Sequence, residues 1–267
     1  MTTVYLVNKS ARLTLAQLAV IAAALAWQDE KQFSPAYGMT PANVQAVADE
    51  SDVPAGAPAI AFVDTIDTPG ALGYHVDNGG FASGLVDVPL ILDNGGTLWD
   101  GANSVSVTAG HEFVEMKIDP ATNRWRENGA GQLQIEEPGD PVENDAGNGA
   151  SIADPGNPGG YVSVALTNFV LPAYWDPANT EGPFDYLHNL KAPFTMTEGG
   201  YVSLMSDLDD VKQIQAKHAP GAQVAFFRPE QGGPVTGHVV FGASYPAWKI
   251  GHKLRNGRAA KSLRKLS

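Results

Sequence analysis

His111-Glu112-Phe113-Val114-Glu115 is the segment of this chain whose residue types and spacing could do chemistry. On a helix, His111 and Glu115 stand four residues apart and project from one face. An imidazole and a carboxylate so placed can grip one metal ion. Glu112 is rotated by about a third of a turn and can reach a water on that ion. The pattern follows the logic of the H-E-x-x-H zinc helix, with a carboxylate as second ligand, a group that zinc accepts. With six His and 11 Glu in 267 residues, chance gives about 0.01 such patterns. A catalytic zinc site needs a third protein ligand and one open position. Glu137 and Asp140, in the acid-rich segment downstream, are the expected donors; Asp119 and Glu143 are alternatives. Glu112 is then the general base, passing a proton from water to a leaving amine. Tyr174, Tyr186 and His188 are alternatives for a donor to the oxyanion.

The elements around the motif follow from local signals. Ser104–Ile118 is expected as a helix, ended by Asp119-Pro120 because a proline disfavours helical geometry in the residue before it. Residues 3–7 read as a strand. The apolar run Leu13–Trp27 follows Lys9 and Arg12, as in a signal peptide, but it is about five residues short of the ~20 that span a membrane. Thr14-Leu15-Ala16-Gln17 is a capping-box pattern, so a buried helix over about 15–31 is expected. A short helix over Pro41–Glu50 follows, then strands at 59–64, 73–76 and 85–92. Gly, Pro, Asn, Asp and Glu dominate Asn123–Gly160, which predicts an ordered loop with short strands. Strand 161–167 and a turn or short helix near 184–190 come next. Asp207–His218 is read as a helix or irregular segment, and 224–227 and 238–241 as late strands.

Composition narrows the classes. The absence of Cys excludes a disulfide framework and thiolate metal sites. An apolar share of 43% excludes a disordered chain. Against 17 basic residues stand 29 acids, so the body is no general nucleic-acid binder. Residues 249–267 reverse this: they hold seven Lys and Arg and no acid. Such a tail is suited to dock on something negative, whether its own subunits, a nucleic acid or an anionic surface. His75, His188, His218, His238 and His252 share no ligand spacing and read as surface or hydrogen-bonded residues. Asp207-Leu208-Asp209-Asp210 lacks the glycine and closing Glu of a calcium loop and reads as a solvated acidic turn. No dinucleotide fingerprint, P-loop or serine nucleophile elbow is present.

The expected order, strand–helix–strand–strands–HExxE helix, resembles the core of the zincin metallopeptidases. More closely, the chain is similar to a family of mostly uncharacterised bacteriophage and bacterial proteins. The resemblance rests on Ser106–Glu115, Asp119-Pro120, Asn123-Arg124-Trp125, Glu137–Glu143, Thr167–Pro177, Phe184–Leu187 and Ala192–Tyr201, about 100 of 267 residues in the same order. It implies an α+β fold: a mixed, twisted sheet on two main helices, the second carrying the HExxE motif, and a loop-rich, β-containing C-terminal half. The organisation expected is a zincin-like core over 1–122, its acidic and β-rich completion over 123–248, and the basic tail 249–267. The resemblance implies zinc held by His111, Glu115, Glu137 and Asp140, with Glu112 catalytic and a peptide or protein as substrate. It also implies the alternative of a non-catalytic virion or accessory protein that assembles on phage proteins or its own subunits through the tail. Host cytoplasm or virion is the implied location, without a membrane span.

Overall fold

The structure, a computed structural model, describes residues 2–67, 70–78, 80–207 and 210–215. β1 (Thr3–Asn8) leads into α1 (Leu15–Gln28). The capping box at Thr14 is formed, the Thr14 hydroxyl accepting from Gln17 N and the Gln17 side chain accepting from Thr14 N. The helix runs further than its periodicity indicates. A π-turn over Asp29–Phe33 passes without a break into α2 (Ser34–Tyr37). This wider turn brings Asp29 and Ser34 together, with Ser34 Oγ donating to Asp29 Oδ1 at 2.6 Å.

The expected helix over Pro41–Glu50 is instead β2 (Asn43–Val47), paired in parallel with β1, Leu6 opposite Ala46. Pairing along an open sheet edge outweighs local propensity in so short a segment. β3 (Ala59–Val63), β4 (Gly73–Asp77) and β5 (Ala82–Asp87) complete a five-stranded sheet in the order β2-β1-β3-β5-β4. β2, β1, β3 and β5 run parallel to one another, whereas β4 closes the edge antiparallel to β5, with His75 opposite Gly84. The expected strand 85–92 stops at Asp87. Its carboxylate caps Leu90 N and Pro89 sits in the first turn, so Val88–Asp93 is helix α3.

α4 (Val105–Ile118) is capped by Ser104 and ends at Asp119, as expected. Twelve of its 14 residues are buried, so it is no amphipathic surface helix. One side packs with α1 on the five-stranded sheet. A hairpin of β8 (Ala146–Ala153) and β9 (Tyr161–Thr167) covers the other. Before this hairpin the chain forms β6 (Trp125–Glu127) and β7 (Leu133–Ile135). After it come β10 (Tyr201–Asp207) and β11 (Asp210–Gln215), which join them in a second antiparallel sheet. β11 occupies part of the segment 207–218 expected to be helical or irregular. Leu6, Ile60 and Phe62 of the sheet share one core with Leu18 and Leu25 of α1, Phe113 and Val114 of α4, and Val164 and Leu166 of β9. The architecture is thus mixed α/β, with a mixed sheet and few helices.

One ion pair ties α4 to the far end of α1. Lys117 Nζ lies 2.6 and 2.7 Å from the two oxygens of Asp29 and donates to Ser34 Oγ at 2.7 Å. Asp29 is fully buried and also accepts from Ala42 N. The expected strands 224–227 and 238–241, the tail 249–267, and His218, His238 and His252 lie outside the described residues, as does part of the segment 207–210. Among the described residues no helix is long and apolar enough to cross a membrane.

Candidate metal centre

The inner side of α4 and the loop between β7 and β8 meet over β4. α4 contributes His111, Glu112 and Glu115, the loop contributes Glu137, Asp140 and Glu143, and β4 contributes His75. Except for the slightly more accessible Glu143, these residues are 0–6% exposed, which is exceptional for carboxylates without strong compensation.

His111 Nε2 lies 3.0 Å from Glu115 Oε1 and 3.3 Å from Asp140 Oδ1, while its Nδ1 lies 2.7 Å from Glu143 Oε2. On the other side, His75 Nδ1 lies 3.3 Å from Glu112 Oε2 and 3.4 Å from Glu115 Oε2. His75 Nε2 is 3.3 Å from the carbonyl oxygen of Asp119 and 4.0 Å from Glu137 Oε1. Three overlapping sets each offer donor atoms within 4.8 Å of one another: His75, Glu112 and Glu115; His111, Asp140 and Glu143; Glu115, Glu137 and Asp140. His111 Nδ1, Glu115 Oε1 and Glu143 Oε2 are buried without an aligned hydrogen bond, short as their contacts are. Groups that crowd together without aligning on one another fit joint coordination of a cation better than pairwise bonding.

The four expected ligands and the expected base are therefore brought together. Asp119 is not a ligand candidate: its two oxygens accept from Asn123 N and Arg124 N and shape the turn after α4. Glu143, an alternative in the sequence, belongs to the cluster. His75 is the residue the spacing rules miss, since it stands alone on a strand. It is no surface residue but fully buried between three carboxylates.

Two glycines make room for the site. A Cβ on Gly73 would lie 3.0 Å from Glu112 Oε1 and 2.9 Å from Leu85 O. A Cβ on Gly139 would lie 2.6 Å from His111 Nδ1. Because Gly139 has ordinary helical angles, φ −79° and ψ −40°, Gly139→Ala changes sterics without straining the backbone. The variant is expected to swing the imidazole and weaken binding of any divalent cation held there by about 10- to 100-fold, as loss of ligand orientation does elsewhere. Competition with a chromophoric chelator measures this; unchanged affinity would mean that His111 holds no metal.

Charge balance sets the electrostatics. Lys117 is committed to Asp29, and Arg124 and Arg126 to Glu136. Burial pushes Glu115 up to about 7, with Asp140 adding to the shift and His111 opposing it. Burial also raises Glu137 and Glu143. For His75, burial alone would lower the pKa, but Glu112 and Glu115 override it and hold the ring at about 10. Glu115 and Glu143 likewise overcome burial at His111, which stands well above its ordinary value.

The metal-free fold thus keeps protons that the unfolded chain has released. For Glu115 this holds between 4.5 and about 7, and for His75 between 6.5 and about 10. Stability then falls as pH rises through both windows. A cation takes the place of those protons, so its stabilisation grows in the same direction. Melting in chelator between pH 5 and 8 should show a falling Tm, with a widening gap to zinc-loaded protein. A metal-free Tm that rises over this range would contradict the assignment.

Among the aromatic donors, Tyr174 is spent on structure: its hydroxyl donates to Thr195 O and accepts from Gln134 Nε2. Tyr186 stacks on Phe169, and His188 sits at φ +62° in a turn. Tyr201, at the start of β10, is the hydroxyl that reaches the cluster. Burial and the Asp140, Glu143 and Glu115 carboxylates push it well above its ordinary value, so it stays protonated. A pocket of about 130 Å³ opens beside His111 and Glu143, walled by Leu72, Ala102, Val107 and Thr108.

A scan against protein-family models found no match, and neither did searches of curated proteins and of solved structures.

Proposed function

We propose that the chain is a zincin-like, zinc-dependent hydrolase of peptide bonds. The observation that carries this reading is the meeting of the HExxE face with the loop acids, inside the protein and beside an open pocket. The donor set is two imidazoles and five carboxylates without sulfur, which suits zinc and other divalent first-row metals. His111, Glu115 and Asp140 would hold the ion, with Glu137 and Glu143 alongside. When bound, such an ion supplies Lewis acidity, polarising a water and a scissile carbonyl.

The protein's own groups do the rest. Glu112 accepts the proton of the attacking water and returns it to the leaving amine. Tyr201 keeps its proton and donates a hydrogen bond to the developing oxyanion. The pocket lined by Leu72, Ala102 and Val107 takes a compact apolar side chain of the substrate. The strand–helix–strand–strands–helix order supports the zincin-like fold, and the resemblance to bacteriophage and bacterial proteins stays part of this proposal.

The test is cleavage of a peptide library by the zinc-loaded full chain. Cleavage that stops with chelator and returns with zinc supports the reading; no cleavage by fully loaded protein overturns it. One observation favours a second reading, a non-catalytic virion or accessory protein that keeps the metal as a brace. Glu112 is turned towards His75 in a fully buried setting, where it is engaged rather than poised. In that reading residues 249–267 bind phage proteins or neighbouring subunits.

A further inference from the structure

We infer that the cluster is a two-cation centre, with Glu115 bridging an outer and an inner position. The outer position is the one used by the proposed hydrolase, and for it the inference rests on that reading. The inner position, made by His75, Glu112 and the second oxygen of Glu115, is new.

Four observations carry it. First, the two oxygens of Glu115 face different imidazoles: Oε1 lies 3.0 Å from His111 Nε2 and Oε2 lies 3.4 Å from His75 Nδ1. A carboxylate sandwiched in this way is placed to bridge two ions, not to chelate one. Second, two of the three donor sets share no residue and each has one imidazole and two carboxylates: His75, Glu112, Glu115 and His111, Asp140, Glu143; the third, Glu115, Glu137 and Asp140, joins them. Third, His75 has the posture of a ligand. With its proton on Nε2 it donates to the Asp119 carbonyl at 3.3 Å, which aims the Nδ1 lone pair at Glu112 and Glu115. Metal-bound histidines are oriented by this kind of contact. Fourth, Glu115 Oε1 is buried, 3% exposed at the residue, and aims into the cluster without an aligned hydrogen bond.

Charge points the same way. Five carboxylates meet here, and one divalent ion would leave most of their charge buried and uncompensated, whereas two nearly balance it. The positions are not equivalent. The outer one adjoins the pocket, through His111 and Glu143, whereas His75 has no exposed surface. The outer ion would be open to substrate and the inner one closed. Glu112 acts as the base while the inner position is empty and is held as a ligand once that position is filled.

The test uses the full chain stripped with chelator and loaded with Mn2+, an ion that accepts these donors and reports by electron paramagnetic resonance. Elemental analysis after dialysis should give two Mn2+ per chain, with the spectrum of a spin-coupled pair. His75→Gln should keep one ion and lose the coupling, with circular dichroism to confirm its fold. If that variant does not fold, the coupled spectrum of the wild type decides alone. One uncoupled Mn2+ per wild-type chain would overturn the inner position and leave the hydrolase reading standing. No bound Mn2+, and no zinc taken up under the same conditions, would overturn both.

Discussion

Glu112→Gln is expected to slow peptide hydrolysis by about 10²- to 10⁴-fold, the usual contribution of a positioned base, while the cation between His111 and Asp140 stays bound. The substitution preserves shape and removes the ability to accept a proton. Glu112 is 3% exposed and lies against His75, beside the Gly73 backbone, so the nearly isosteric amide fits without repacking. The outer donors are other residues, His111, Glu115 and Asp140, and are untouched. The readouts are kcat/KM on a cleaved peptide and metal content by elemental analysis. Full activity in the variant would remove Glu112 from the chemistry. Loss of all metal would show that Glu112 holds the outer ion.

Lys117→Met should cost about 3–5 kcal/mol of folding stability, the price of leaving a buried charge without its partner. Asp29 is fully buried, and Lys117 is its ionic partner. Lys117 also lies 5.8 Å from the Phe33 ring centre and 5.9 Å from that of Phe113, so its charge is seated between two aromatic faces. It stands two positions after Glu115 on α4, so the same contact fixes how the helix that carries the candidate ligands lies on α1. Denaturant unfolding of the metal-free protein measures the loss. Adding Asp29→Asn should restore part of it, because the stranded charge is then gone. A loss below about 1 kcal/mol would class the pair with weak surface bridges.

How much of this was legible in the residues depends on whether a signal is local. The helix α4 was, because Ser104, Asp119 and Pro120 mark its ends and His111 and Glu115 share a face at helical spacing. The loop acids were legible as a group but not individually. Nothing in their spacing says that Asp119 spends its carboxylate on two backbone amides while Glu143 reaches His111. His75 carried no signal, since a lone histidine on a strand gains meaning only when the sheet brings β4 under α4. The same holds for Asp29 and Lys117, 88 residues apart.

Two of the elements that depart from the local signals differ in kind. Asn43–Val47 is a strand because β1 offers an edge, a tertiary cause that no local pattern reports. Val88–Asp93 did carry its signal: Asp87 is a good cap and Pro89 suits a first helical turn. There the punctuation outweighs the apolar run.

The central claim is that the imidazole of His111 and the carboxylates of Glu115 and Asp140 jointly hold a divalent cation. Anomalous diffraction at the zinc absorption edge, from crystals of the full chain grown with zinc, tests this most directly. An anomalous peak is expected about 2.0–2.2 Å from His111 Nε2, with carboxylate oxygens of Glu115 and Asp140 at similar distances. Zinc-loaded crystals with no peak there, the side chains bonded only to one another, would contradict it.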